Sequence, residues 1–293
     1  TVGWDFSMFL ENKEIIYVDI DKNLCTKYFK YKEILTLNLD LYNFIFILEK
    51  LFMLTNQKTQ ENIQSWSKTW QKLKSKNSNL DIGKSFNGGF SLYHVLDKFN
   101  SISTNGSVIV ADSGTTWYVT GQVLKLKNGQ SFVTNSAMGS MGFALPAAAG
   151  IAMNTKLHTY CFVGDGSLMT SLSALWTISR ENLPVTIIII NNFGYNSISN
   201  TQDKFGESGY YGSTYESGLA QLNFKEIANA CSIEYIRVVE ENSLTDNLML
   251  RRETPLIIDI FIDKKTNVVP YVKSVLQNDG SFKSGSLNNL EPL

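Results

Sequence analysis

The chain has 293 residues, with 26 Lys and Arg against 27 Asp and Glu, a formal net charge of -1 and 43% hydrophobic residues. This balance predicts a globular chain that can bury a core, and it excludes a wholly disordered one. The absence of a basic excess argues against nucleic acid as a partner. The 3 cysteines form no Cys-x-x-Cys pair, which argues against a zinc finger, a haem attachment site or a disulfide scaffold.

Free thiols are typical of a reducing cytoplasm, which is where we expect the protein. No apolar stretch approaches the ~20 residues of a spanning helix, so no membrane partner is expected. The first 14 residues lack the apolar core of a signal peptide. Because the sequence begins at Thr1 and not at Met, we expect the natural N-terminus to lie upstream.

The first elements are short. Apolar runs at 15–20 and 34–37 predict two strands, and Asp40 predicts the N-cap of a helix that continues to residue 54. Two strands and one helix are too few for a domain. We therefore interpret residues 1–54 as the C-terminal remnant of a central α/β domain.

The next segment, 55–85, is polar and rich in lysine. Trp66 and Trp70 are four residues apart, which places them on one face of a helix. We interpret this segment as a linker that contains a surface helix.

From residue 86 onward, strands and helices alternate. Strands are predicted at 108–111, 131–134, 159–163, 185–190, 235–238 and 256–262. Helices are predicted at 91–101, 142–153, 167–180, 224–230 and 243–252. This alternation predicts a doubly wound α/β fold with a mainly parallel sheet. The run VTIIII at 185–190 lacks period-two alternation, which is typical of a central strand covered on both faces.

Two polar motifs follow successive strands. Residues 164–167 (GDGS) lie between a strand and a helix, and Asn191 and Asn192 follow the next strand. One crossover separates the motifs, so both lie at the carboxyl edge of the sheet, where such folds bind ligands. Neighbouring parallel strands lie ~4.8 Å apart, so Asp165 and Asn192 are expected to reach a single ion.

The residue types in these motifs suit Mg²⁺ bound to a diphosphate. The ion takes six oxygens, commonly one or two carboxylates together with phosphate oxygens. Asp165 would supply the charge, Asn192 an amide oxygen, and a nearby backbone carbonyl a third ligand. A helix starting at Ser167 would direct free N–H groups at the phosphates, and Gly166 would let the backbone approach them. Either motif alone is typical of an ordinary turn or loop; together they favour a site.

This pair of motifs resembles the thiamine diphosphate signature. Three further segments resemble the acetolactate synthase large-subunit family: NSAMGSMGFALPAAAG at 135–150, RENLP at 180–184 and IYVDID at 16–21. The resemblance covers nearly the whole chain and corresponds to the C-terminal half of a family enzyme. It implies that residues 86–293 form the diphosphate-binding domain with a C-terminal tail, and that thiamine diphosphate and Mg²⁺ are cofactors.

The resemblance also implies roles for individual residues. Mg²⁺ would be bound by Asp165, Asn192 and the backbone carbonyl of Gly194. The remaining cofactor contacts near the diphosphate would come from Gly166, Ser167, Tyr195, Thr115 and Thr116. The two threonines stand where acetolactate synthases carry a Gln-His pair.

At the other end of the cofactor, the carbonyl of Gly139 would accept a hydrogen bond from the 4′-amino group. Met141 would wedge between the two rings of the cofactor and force its bent conformation. From the residues alone, Met141 is interpreted as a core residue and Gly139 as a glycine at a helix start.

The implied reaction is decarboxylation of a 2-oxo acid, pyruvate above all, followed by carboligation to an acceptor carbonyl. The activating Glu of the family lies in a pyrimidine-binding domain that these residues do not include, so no catalytic residue is assigned here. The resemblance implies a homodimer or a partner chain that supplies that domain. It leaves open whether FAD binds.

Some functional questions stay open at the level of the sequence. The segment 196–204 contains Thr201 but no Trp where acetolactate synthases carry the Trp that selects the second substrate, so the acceptor is open. One alternative is a truncated or split chain that binds the cofactor and turns nothing over. Another is an unrelated Mg-phosphate or nucleotide-binding module. His158, just before a strand, is expected at the surface, and Cys161, within that strand, in the core.

Overall fold

A computed structural model of the chain describes residues 14–24, 34–78, 89–136, 138–205, 209–264, 268, 271–272, 274–277, 279–284 and 290–291. The chain forms two compact units, one of Thr1–Asp81 with Pro270–Pro292 and one of Ile82–Val269. No helix within the described ranges has the length and apolar character needed to cross a membrane.

The first unit includes the strands β1 (Ile16–Val18) and β2 (Leu35–Leu37) and the helices α1 (Leu41–Met53) and α2 (Gln57–Ser78). β1 and β2 pair in parallel. Asp40 caps α1 as predicted, because its side chain accepts a hydrogen bond from the backbone N–H of Asn43 at 3.0 Å. The rings of Trp66 and Trp70 stack on α2 with centroids 6.3 Å apart.

The second unit contains a six-stranded parallel sheet: β3 (Val108–Ala111), β4 (Ser131–Thr134), β5 (Thr159–Gly164), β6 (Val185–Asn191), β7 (Glu234–Val238) and β8 (Leu256–Phe261). Its helices are α3 (Leu92–Ile102), α4 (Thr115–Val123), α5 (Ala144–Thr155), α6 (Asp165–Met169), α7 (Ala174–Arg180), α8 (Asn196–Phe205) and α9 (Phe224–Ala230). The strand order is β4-β3-β5-β6-β8-β7, and every pair is parallel. The predicted fold class is therefore confirmed.

Both faces of the central strands are buried. All seven residues of β6 are buried, as its unbroken apolar run predicts. On one face, Ile187 and Ile189 share a core with residues of α5, α7 and α9. On the other face, Phe99 of α3 packs edge to face against Tyr160 and Phe162 of β5. Because helices pack against both faces of the sheet, the positions of the strand ends at its carboxyl edge are fixed.

Four short strands follow the sheet in the chain and belong to the first unit: β9 (Tyr271–Val272), β10 (Ser274–Leu276), β11 (Phe282–Ser284) and β12 (Leu290–Glu291). β10 pairs with β11 and β9 with β12, both antiparallel.

The prediction of one continuous helix at 167–180 is wrong. α6 starts at Asp165, ends at Met169, and is followed by turns before α7 begins. The Thr170 hydroxyl donates to the carbonyl of Ser167 at 2.7 Å, and the Thr170 N–H bonds to the same carbonyl. Hydroxyl side chains that bond the local backbone compete with the helical ladder, which explains why the helix is interrupted here.

The prediction of a helix at 243–252 is also wrong. The segment forms two 3₁₀ turns, Glu241–Ser243 and Asp246–Met249, and Leu250 is extended. Conversely, α4 and α8 were not predicted. α4 contains three Thr and one Gly, and α8 contains Asn, Ser and Thr. These residues have weak helix propensity, which tertiary contacts override here.

His158 lies in the core, so its predicted surface position is wrong, whereas Cys161 is buried as predicted. The imidazole Nε2 lies 2.9 Å from the Thr186 hydroxyl, and the ring packs against Tyr160 with centroids 4.3 Å apart. Nδ1 has no hydrogen-bond partner among the described residues. Burial lowers the pKa of His158 to about 4, and the positive charges of Arg251 and Arg252 add to this effect.

The histidine should make stability depend on pH. The unfolded chain takes up a proton near pH 6.5 and the folded chain only near pH 4, so stability is lost as the pH falls between these values. At ~1.4 kcal/mol per pKa unit, the loss approaches ~3 kcal/mol. The free energy of unfolding by urea, measured from about pH 7.5 to about pH 4.5, should fall less for His158→Gln than for the wild type.

His94→Gln is the matched control, because it keeps His158 and therefore keeps this loss. Parallel pH profiles for the wild type and His158→Gln would contradict the prediction.

Candidate functional site

The two polar motifs meet at a topological switch point. From β3 the chain winds towards β4 on one side, and β5 then lies on the other side of β3. Such a reversal opens a crevice at the carboxyl ends of the strands. A cavity lies there, lined by segments that follow β3, β5 and β6: residues 113–116, 164–167, and Asn192 with 194–198, together with Met141. We call it the first cavity.

Asp165 is the buried carboxylate of the first cavity, with only 1% of its surface exposed. Its Oδ2 accepts the Gly194 N–H at 2.8 Å and the Tyr215 hydroxyl at 3.1 Å. Burial raises the pKa of Asp165 to about 6, although these two donors and the Gly166 N–H act in the opposite direction. The Gly194 N–H and the Tyr215 hydroxyl both hold Oδ2, while Oδ1 lies towards a further partner.

That partner position faces Asn192. The terminal amide of Asn192 reaches Asp165 Oδ1 at 3.2 Å and the carbonyl oxygen of Gly194 at 2.8 Å. With its nitrogen turned towards them, the amide donates to both oxygens; with its oxygen turned towards them, three acceptors converge and need a cation between them. Adjacent ligands of an octahedral Mg²⁺ are about 3.0 Å apart, given metal–oxygen distances of about 2.1 Å. The two distances from the Asn192 amide oxygen, to Asp165 Oδ1 and to the Gly194 carbonyl oxygen, therefore match the spacing of adjacent ligands of this ion.

The donor set also discriminates between metals. Within the described part of the chain, no three His, Cys, Asp or Glu side chains cluster as a metal site. Among the residues that line the first cavity, Asp165 is the only charged one, and it lies beside an amide and a carbonyl. Such an oxygen set suits an ion that keeps water and phosphate ligands, as Mg²⁺ does, and not zinc.

Two glycines are required by the packing of the site. A Cβ on Gly166 would lie 2.2 Å from the ring of Tyr195, so that ring covers the start of α6. Gly194 has φ +142, and a Cβ there would lie 2.3 Å from the carbonyl oxygen of Ser213. A side chain at Gly194 would therefore displace the carbonyl that faces Asn192.

Nine of the ten residues predicted to contact the cofactor line the first cavity. The exception is Gly139, which is exposed, has φ +61 and donates its N–H to the carbonyl of Asn135 at 2.7 Å. It lies in the turn that leads to Met141, which is 42% exposed and does line the cavity. The roles of these residues stay predictions, because proximity to the cavity does not test them.

Asp112 was missed by the sequence reasoning. It is 1% exposed, and its carboxylate accepts the backbone N–H groups of Gly142 at 3.1 Å and Ala144 at 2.7 Å. It thereby ties the segment that carries Met141 to the end of β3. Its position directly after an apolar strand, like that of Asp165, is the signal that could have found it.

Ser197 and Tyr215 were also missed. Ser197 lies on the unpredicted helix α8 and contacts Thr115, with the two hydroxyl oxygens 3.1 Å apart. Tyr215 reaches Asp165 across 50 residues of sequence. No local pattern marks either residue.

Comparison with known proteins identifies the fold's family. Residues 112–260, just over half of the chain, match the family described as thiamine pyrophosphate enzyme, C-terminal TPP binding domain. The chain belongs to this thiamine pyrophosphate enzyme family. The match decides against an unrelated nucleotide-binding module.

Curated relatives agree with this assignment. The chain is 31% identical over 185 residues to the acetolactate synthase isozyme 1 large subunit of Escherichia coli, covering 62% of this chain and 32% of the relative. It is 26% identical over 175 residues to the acetolactate synthase large subunit of Lactococcus lactis, covering 59% and 30%. The chain therefore spans about a third of the length of these relatives.

A solved structure shows the same fold. The thiamine diphosphate-dependent 4-hydroxybenzoylformate decarboxylase of Rhodococcus jostii matches with a TM-score of 0.53 and 20% identity, over 61% of this chain and 34% of that chain. At this identity the likeness concerns the fold alone.

Burying Asp165 without a cation should cost stability. Its pKa of about 6 lies above its ordinary value of 3.8, so the folded state disfavours the ionised form, and the cost is present above pH 6 and disappears as the pH falls towards 3.8. Without divalent cations near pH 8, Asp165→Asn should raise the free energy of unfolding, on the order of 3 kcal/mol at ~1.4 kcal/mol per pKa unit.

The gain should shrink near pH 4.5, which thermal or urea unfolding can measure. Asp97→Asn, the same change at an exposed position on α3, is the control and should give no comparable gain. A destabilised Asp165→Asn variant at pH 8 would show that the ionised carboxylate is better accommodated than its burial implies.

Proposed function

We propose that this chain holds the Mg²⁺ and diphosphate of thiamine diphosphate in the first cavity, and that the protein catalyses decarboxylation of a 2-oxo acid, pyruvate above all, with carboligation to an acceptor carbonyl. The observation that carries the proposal is the convergence of Asp165 Oδ1, the Asn192 amide and the Gly194 carbonyl at ligand-to-ligand distances. The names of the acetolactate synthase relatives support the reaction class.

In this proposal each part of the cavity has a separate task. Asp165, Asn192 and Gly194 hold the cation, while the Gly194 N–H and the Tyr215 hydroxyl keep the second carboxylate oxygen in place. The backbone at Gly166 contacts the diphosphate in this proposal, and the absence of a side chain there makes room for the Tyr195 ring. When bound, thiamine diphosphate supplies the electron sink for decarboxylation, and the protein supplies binding and orientation.

Polar side chains at the rim complete the diphosphate contacts in the proposal: Ser167, Thr115, Thr116 and Tyr195, all of which line the cavity. Because α6 has only five residues, individual N–H and hydroxyl donors, and not a long helix dipole, provide the attraction. Met141 lines the cavity at the position proposed for the bend of the cofactor.

Removal of the charged ligand should abolish cation-dependent binding. Asp165→Asn keeps the size of the side chain and loses its charge. Mutating a residue that only supports a metal ligand typically lowers affinity by ~10–100-fold. Loss of the charged ligand itself should therefore lower the affinity for thiamine diphosphate with Mg²⁺ by more than ~100-fold. Isothermal titration calorimetry with and without Mg²⁺ measures this on the 293-residue chain.

Thiamine without its diphosphate is the ligand control, and its binding should be weak in both proteins and independent of Mg²⁺. Asp97→Asn should bind as the wild type does. Unchanged affinity of Asp165→Asn for the Mg²⁺ complex would remove Asp165 from the site.

The chain alone should not turn over. Of the residues that line the first cavity, Asp165 is the only carboxylate, and the proposal engages it with the cation. No second acid lining that cavity can therefore move a proton at the aminopyrimidine, a contribution typically worth ~10²–10⁴-fold. We expect the purified residues 1–293, with excess thiamine diphosphate and Mg²⁺, to release no more carbon dioxide from pyruvate than the free cofactor does.

Adding a pyrimidine-binding domain, upstream in the same chain or as a partner chain, should give turnover. Multiple turnovers by residues 1–293 alone would contradict the expectation and would point to an acid within them. Asp203 on α8, which accepts the Tyr210 hydroxyl at 2.7 Å, would then be tested first; Glu207 lies outside the described residues.

The proposal also covers the assembly and the domains of the whole protein. A homodimer, or a partner chain, would bring the pyrimidine-binding domain to the first cavity. Residues 1–54 would belong to a larger central α/β domain, which is supported by the two-stranded parallel sheet and by α1, whose described side chains include none that is buried.

The acceptor and any bound FAD stay open; Thr201, near the position of the selecting Trp, lies exposed on α8. Free thiols at Cys161 and Cys231 support a cytoplasmic location.

A further inference from the structure

A second cavity of about 550 Å³ opens at the same edge of the sheet. The second cavity is defined by Asn191 of β6, Asp259 and Phe261 of β8, Tyr235 and Arg237 of β7, and Phe193. The strand register explains why these side chains meet. Asn191 pairs with Phe261, and Arg237 pairs with Asp259, so alternate residues of three adjacent strands project from one face.

The inner end of the second cavity holds a buried carboxylate and a buried amide oxygen that receives no hydrogen bond from the described residues. Asp259 is 2% exposed, and its two oxygens accept the Asn191 amide at 3.0 Å and the Tyr235 hydroxyl at 2.8 Å. Asn191 is 4% exposed, and its Oδ1 has no hydrogen-bond partner in the described part of the chain. A buried acceptor without a donor is costly, and beside a buried carboxylate the donor that fits best carries a positive charge.

The outer end is positive. The guanidinium of Arg237 lies over the ring of Phe261, 4.3 Å from its centroid, and Lys225 also lines the second cavity. Because Phe261 is the cross-strand neighbour of Asn191, the guanidinium and the unpartnered amide oxygen lie over adjacent strands. An exposed guanidinium so close to a cavity is a ready partner for a carboxylate.

Aromatic rings form the remaining wall. The ring of Phe193 lies 5.7 Å from that of Phe261 and 6.3 Å from that of Tyr215, measured between centroids. These contacts are tilted or edge to face, the arrangements that aromatic pairs prefer.

We propose that the second cavity binds a free α-amino acid with an aromatic side chain. Its ammonium donates to Asn191 Oδ1 beside Asp259, its carboxylate pairs with Arg237, and its ring joins those of Phe193, Phe261 and Tyr215. The Asp259 carboxylate and the Arg237 guanidinium, at paired positions on neighbouring strands, would each face one charge of a zwitterion, whereas a simple acid or amine carries only one of the two charges. The proposal concerns a cavity other than the one proposed for the cofactor and does not depend on that function.

Calorimetry on the 293-residue chain with three matched probes tests the assignment. L-Phenylalanine carries both charges, 3-phenylpropionate lacks the ammonium, and 2-phenylethylamine lacks the carboxylate. L-Phenylalanine should bind, and each of the other two should bind roughly 10–100-fold more weakly, as the loss of one charge-assisted hydrogen bond implies. Absence of L-phenylalanine binding, or equal affinity for all three, would overturn the proposal.

Arg237→Gln locates the site. Arg237 is exposed, so the variant should fold, and its affinity for L-phenylalanine should fall roughly 10-fold or more while its affinity for 2-phenylethylamine stays unchanged. Arg251→Gln, which removes an exposed arginine outside the cavity, is the matched control and should bind as the wild type. Wild-type affinity in Arg237→Gln would overturn the proposal.

A fourth probe identifies the donor. L-3-Phenyllactate replaces the ammonium of phenylalanine with a hydroxyl, which also donates but carries no charge. Weaker binding of phenyllactate supports the pairing of an ammonium with the Asp259 end, and tighter binding overturns the amino acid assignment in favour of a hydroxy acid.

Discussion

Burial of the Asp165 carboxylate at the end of β5 is the constraint around which the neighbouring segments are arranged. An isolated buried charge is expensive, and the protein offsets that cost with the Gly194 N–H and the Tyr215 hydroxyl. Both donors contact Oδ2, so Oδ1 is directed at the Asn192 amide. Burial still raises the pKa of Asp165, so the ionised carboxylate is disfavoured in the fold. A bound cation would stabilise the ionised form.

The sheet makes this arrangement possible because it fixes where each loop begins. β5 and β6 pair over six residues, and every residue of β6 is buried, so the ends of the two strands cannot slide relative to each other. The loops beyond the strands carry the polar groups, as is usual when a rigid core positions a site. Asp112 plays a similar part at the end of β3, because its carboxylate accepts the Gly142 N–H and so fixes the segment that carries Met141.

The two cavities lie next to each other at the end of β6, where Asn191 lines the second cavity and Asn192 the first. Asn191 and Asn192 are consecutive, and side chains alternate at the end of a strand. The first therefore reaches Asp259 and the second Asp165, one for each cavity. Tyr215 adjoins both, with its hydroxyl on Asp165 and its ring on the second cavity.

The sequence by itself determined the six strands of the parallel sheet, the fold class and the position of the Asp165–Asn192 pair. Buried strands are runs of apolar residues, and two motifs one crossover apart must return to the same sheet edge. The helix boundaries at 167–180 and 243–252 were decided by competing local hydrogen bonds, which no periodic pattern reports.

Only the tertiary structure showed that β5 and β6 are neighbours and that Tyr215 and Asp259 belong to the sites. The Tyr215–Asp165 and Asn191–Asp259 contacts join residues 50 and 68 positions apart. Single polar residues in such pairs look like ordinary surface positions along the chain. Buried polar groups are nearly always hydrogen-bonded. Burial within the folded sheet therefore explains why these distant residues bond to each other.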